Sequence, residues 1–150
     1  MASVADVTFS IYTVVNKFAR SINFDFVSTT SIESAASAMM DGTDKLILVQ
    51  TKVEDKIFLD MEYKIFVSFA KSTDINSIKE SEIISQLIDL FPAYSKVCIY
   101  DANDLKKVPS VYTDTGKAMV VKSISQDIVS ITQMRNNLSC VVVKLSGYIK

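Results

Sequence analysis

Asp60 and Glu62 are spaced for acid–base chemistry. They lie two apart in "KIFLDMEYKIFVSFAKS" (56–72), where apolar and polar residues alternate as in a strand, so both carboxylates project from one face. Lys56 and Lys64 share that face, which makes a solvated charged surface the simpler reading. "DANDLKK" offers Asp101, Asn103 and Asp104 as oxygen donors but lacks the glycine and the distal glutamate of a calcium loop, so it reads as a turn. Gly116-Lys117 belongs to no phosphate-binding pattern and precedes a strand. Histidine is absent, which removes the commonest general base and zinc ligand. Cys98 and Cys140 form no CxxC pair and read as reduced core thiols, with a disulfide as the alternative. The expectation is a protein without catalytic activity, catalytic residues, metal or cofactor.

The elements that position these residues are those of one domain, 1–150. A chain of 150 residues can bury a core unaided, and 49% apolar with 22% charged residues is a globular balance. Three glycines and two prolines leave room for few long connections. A net charge of −1 and only two arginines, Arg20 and Arg135, argue against a nucleic-acid partner. The first ten residues have no basic, apolar leader pattern, and no apolar run has membrane-spanning length. The expected place is the cytoplasm, or an assembly built there.

Val7, Ile11, Val14, Val15, Phe18 and Ile22 form a helical stripe, predicting a helix over 6–21. "NFDFVS" reads as a short strand. "TTSIESAASAMMDG" reads as a helix capped by Thr30 and Glu33 and stopped at Gly42. "KLILVQTKV" (45–53) is apolar on both sides, as a central strand is, and Glu54-Asp55 links it tightly to an antiparallel strand. Ser77 and Glu80 form a capping pattern for "IKESEIISQLIDLF", whose stripe is Ile84, Leu87, Ile88 and Phe91. The last third predicts the strand "KVCIYD", a long loop, a strand bent near Ser125-Gln126, a turn at Asn136-Asn137 and a final strand. The expected fold class is α+β: a mostly antiparallel, twisted sheet packed with two or three helices, in the order α-β-α-β-β-α-β-β-β.

Phe58 and Phe66 stand out because they fall on the charged face of the long strand, beside Asp60, Glu62 and Lys64. Exposing them fully forgoes roughly 1.5–3 kcal/mol of burial each. Eight residues of strand separate them, about 26 Å, so one small patch cannot cover both. Either the first or second helix of the same chain covers that face, or the strand twists from one sheet into another, or another subunit covers it. The last reading makes Phe58, Asp60, Glu62, Lys64 and Phe66 a subunit or partner interface. A strand of fourteen residues is also long for a domain of this size, as a β-arm is.

The order of elements, the strand "KIFLDMEYKIFVSF" and the helix "SIKESEIISQLIDLF" resemble the tail terminator (tail completion) proteins of long-tailed bacteriophages. The resemblance implies a viral structural protein. It would form an oligomeric ring, a hexamer, at the head-proximal end of the tail in the virion, assembled in the host cytoplasm. That ring caps the tail tube and joins it to the head connector, so its partners are copies of itself, tail-tube protein and head-connector protein, with no specific nucleic acid and no membrane. A type III secretion-like chaperone, a dimer binding an unfolded segment of its partner, is the alternative. A small-molecule-binding or enzymatic domain is a third reading, disfavoured by the missing histidines and scarce glycines.

Overall fold

The computed structural model describes residues 3–39, 43–55, 58–69, 74–106, 112–131 and 136–147. In chain order the elements are α1 (Val4–Ser21), β1 (Asp25–Thr29), α2 (Ile32–Met39), β2 (Lys45–Asp55), β3 (Leu59–Ser68), α3 (Asp74–Leu90), β4 (Lys96–Tyr100), a 3-10 turn (Ala102–Lys106), β5 (Asp114–Ile131) and β6 (Asn136–Gly147). The fold is α+β, in the predicted order. All six strands form one sheet, ordered β1-β2-β3-β6-β5-β4. Only β1 and β2 run parallel, as the α2 crossover between them requires; the other pairings are antiparallel.

Strand parity divides the core in two. Leu59, Met61, Tyr63, Ile65 and Val67 of β3 face one side, where they join Leu46 and Leu48 of β2 and Val141, Val143 and Leu145 of β6. Val7, Ile11, Val15 and Phe18 of α1 and Ile83, Ile84 and Leu87 of α3 close that side. The odd positions of the long strand are core, as its alternation predicts. The other side carries a smaller cluster, in which Ala35, Ala36 and Met39 of α2 meet Ile47, Val49, Phe66, Cys140 and Val142.

Helix α1 starts at a capping box: Ser3 Oγ accepts the Asp6 N–H, and the Asp6 carboxylate accepts the Ser3 N–H. The cap of α2 is Ser31, not Thr30; its Oγ accepts the Ser34 N–H at 3.1 Å. Gly42 lies outside the described residues. Helix α3 starts at Asp74, so Ser77 is in its first turn and is not its cap.

Three further readings change in the last third. The irregularity in β5 falls between Val121 and Ser123, not at Ser125-Gln126. Met119 and Val121 face the larger core two residues apart and Ile124 packs there three residues later, so the extra residue is Lys122. Asn136 and Asn137 make no turn; they open β6, paired with Ile131 and Ser130, and 132–135 lie outside the described residues. Cys98 is exposed, because it alternates with core-facing Val97 and Ile99 on a short strand, while Cys140 is buried.

Burial pushes the Cys140 thiol up to about 11, with Lys64 nearby opposing that rise. Burial likewise raises the Tyr63 phenol, against a hydrogen bond with Thr8. Both groups fold in their neutral forms. Above pH 9, where an unfolded thiol ionises, the unfolded state loses protons that the folded state keeps, so stability falls as pH rises. Denaturant melts should lose roughly 2–3 kcal/mol between pH 9 and 11 from Cys140, a slope that Cys140→Ala should shed. Ile65→Asp, which puts an unpaired charge in the core, should prevent folding, whereas Lys64→Ser should leave the melting temperature nearly unchanged.

Candidate interaction surface

The predicted interface residues do not form one exposed face. β3 begins at Leu59, so Phe58 precedes the strand and its side chain is 55% exposed. Lys56 lies outside the described residues. Phe66 is fully buried in the cluster closed by α2 of the same chain. That corrects the reading of Phe66 as an exposed assembly contact: the aromatic sits where α2 crosses the sheet, and the charged residues sit beyond it. At ten residues β3 is also shorter than the fourteen-residue strand from which an arm is expected.

Asp60, Glu62 and Lys64 are half-buried on the open part of that face. Register places Glu62 between Lys52 and Lys144, and Asp60 between Glu54 and Ser146. Glu62 accepts a 2.7 Å hydrogen bond from Thr51 Oγ1 and lies 3.8 Å from Lys144 Nζ, while Lys52 and Glu54 pair at 3.1 Å. Lys52, Glu54, Asp60, Glu62, Lys122 and Lys144 line a cleft of about 160 Å³. Asp60 Oδ1 is shielded from solvent and accepts no hydrogen bond among the described residues. Three lysines facing three carboxylates fit cross-strand charge pairing on a polar sheet face.

The other suspected chemistry is spent on local structure. Asp101 Oδ1 accepts the Asn103 N–H, and Asp104 Oδ2 accepts the Thr113 N–H at 2.6 Å. These carboxylates shape a turn. Among the described residues no three His, Cys, Asp or Glu side chains converge as a metal would need. No described helix is long and apolar enough to cross a membrane.

Among the described residues, the longest strand edge without a partner strand belongs to β5. Its partner β4 ends opposite Val120. The turn after α3 then satisfies Val121 on both sides: the Tyr94 N–H donates to the Val121 carbonyl at 2.7 Å, and the Val121 N–H donates to the Ser95 carbonyl at 2.9 Å. From 123 to 131, β5 pairs only with β6, and its outer edge meets no strand of the described residues. At its other margin the hairpin outruns β3, whose pairing with β6 ends at Cys140 while β6 starts at Asn136.

Exposed apolar groups flank this edge. Ile128 is 63% exposed, and Tyr94 is 81% exposed. Tyr94 also holds a left-handed backbone, φ 64°, which costs a non-glycine residue about 1 kcal/mol or more. Edges are normally guarded by charge, proline or a bulge. Here 123–131 ("SISQDIVSI") contains one charge and no proline or glycine. Sequence reading missed this edge, although the low charge and β-branched run were visible, because which strand ends up unpaired depends on the sheet order.

No family model matches the sequence, and no curated protein matches it. Among solved structures, a chain whose name carries no functional description superposes with a TM-score of 0.59 at 10% identity, covering 100% of this chain and 99% of that one. At that identity the likeness concerns the fold alone.

The two phenylalanines should behave differently. Phe66→Ser empties a buried aromatic site and should cost about 3–5 kcal/mol in a denaturant melt, whereas Phe58→Ser should stay within about 1 kcal/mol of the parent.

Proposed function

We propose that this chain is a structural assembly subunit of the kind it resembles, a tail terminator whose ring caps the head-proximal end of a phage tail tube and meets the head connector. The observation that carries this reading is the outer edge of β5, which no strand covers among the described residues, with Tyr94 and Ile128 beside it. An unpaired edge of this composition invites another strand, and in an oligomer the neighbouring copy supplies it. A ring closes through head-to-tail contacts, in which one subunit's edge meets a different surface of the next. The charged cleft around Asp60, Glu62 and Lys144 is then a polar surface left open for tail-tube or connector protein. No step of this role requires catalysis, a cofactor or a metal.

Light scattering across a concentration series tests it. The parent should show a large species that grows with concentration. Ile128→Asp should be folded by circular dichroism and shifted to monomer, and Tyr94→Gly, which relieves the left-handed backbone, should melt no lower than the parent yet assemble less. A parent that is monomeric throughout, or variants that assemble like it, would overturn the assembly reading. A stable dimer with no larger species would favour the chaperone reading instead.

A further inference from the structure

A second feature, remote in chemistry from the β5 edge, lies along the outer side of α1. Lys17 and Arg20 are one turn apart, and Thr13 and Asn16 each lie one turn before them, so all four share a face of the helix. Across from them stand Tyr100, at the end of β4, and Tyr112. With Val14, these six residues line an open cavity of about 600 Å³. Its charged lining residues are both cations; no carboxylate lines it among the described residues. That volume is within the range of small-ligand sites.

The tyrosine wall is held against α1 by buried polar groups. Ser10, fully buried, donates its hydroxyl to the Asp6 carbonyl at 2.7 Å and accepts the Tyr100 N–H at 2.8 Å. Asp6, 7% exposed, accepts the Ala102 N–H on Oδ1 at 2.8 Å. Tyr112 meets Phe9 of α1 edge-on, with centroids 5.0 Å apart, and lies 6.1 Å from the ring of Tyr100. Its neighbour Thr113 is tied to Asp104 through its N–H and to the Asp101 N–H through its carbonyl. The two tyrosines are thus held in place on the cavity that Lys17 and Arg20 also line before any ligand arrives.

We propose that this cavity binds a small planar anion: an aromatic ring that carries a phosphate or carboxylate. The anion is held by the Arg20 fork and the Lys17 ammonium, the ring packs on Tyr100 and Tyr112, and Asn16 supplies an orienting amide. Arginine suits such an anion because its planar donors meet two oxygens at once. A tyrosine face adds apolar contact and stacking that an inorganic ion cannot use. Each half alone is an ordinary surface feature, and their juxtaposition on one cavity is what selects the ligand class. This site stands apart from the assembly reading and does not depend on it.

The probes are adenosine monophosphate, inorganic phosphate and adenosine, titrated into the full chain by calorimetry and by backbone amide NMR. The monophosphate should saturate, shift the amides of Lys17, Arg20, Tyr100 and Tyr112, and bind roughly tenfold or more tighter than either fragment. Lys17→Gln with Arg20→Gln should weaken the monophosphate by roughly tenfold and leave adenosine unchanged. Tyr112→Leu should weaken the monophosphate and leave phosphate unchanged. Saturation absent below about 10 mM, binding no tighter than phosphate alone, or full binding by the double glutamine variant would each overturn the proposal.

Discussion

One sheet with two faces and two edges must be covered by three helices, and they do not suffice. Helices α1 and α3 close one face completely enough to bury Tyr63, Ile65, Val141 and Val143. On the other face, among the described residues, stands only α2, eight residues and so about 12 Å long. It covers the corner where Ile47, Phe66 and Cys140 lie. The polar part of that face follows from the shortfall. Beyond the reach of α2 the same strands turn polar, and Lys52, Glu62 and Lys144 replace the apolar side chains at equivalent positions along β2, β3 and β6.

The edges follow the same constraint. β1 is short and flanked by α1 and α2, and β4 is short and covers only the first part of β5. An 18-residue β5 therefore runs on past its neighbour, and the turn at Tyr94 and Ser95 satisfies the backbone only as far as Val121. A lone domain gains nothing from a long, weakly charged strand with an open side. An assembling one does, because the same edge is completed by each neighbour in turn.

Local signals in the chain made much of this fold legible. The stripe of α1, the alternation of β3 and the apolar run of β2 each encode burial directly, and the element order followed from them. Boundaries set by single hydrogen bonds were less legible: Ser31 and Thr30 are both good caps, and only the backbone geometry chooses. The outer-face phenylalanines misled because alternation assigns a residue to a face without saying which helix crosses that face. Phe66 lies under α2 because β1, β2 and β3 are adjacent, a fact of sheet order rather than of local pattern. The cavity beside α1 was equally hidden. Lys17 and Arg20 look like a solvated helix face until Tyr100 and Tyr112, distant in sequence, are brought opposite them.

The claim on which the account rests is that another copy of the chain completes the outer edge of β5. Hydrogen exchange of the backbone amides of 123–129 that point away from β6, followed as protein concentration is raised, reads that edge directly. These amides should exchange fast in dilute protein and be strongly protected at concentrations where the large species forms, with the amides of β3 protected throughout. Exchange that stays fast in the assembled protein would place the contact elsewhere and contradict that claim.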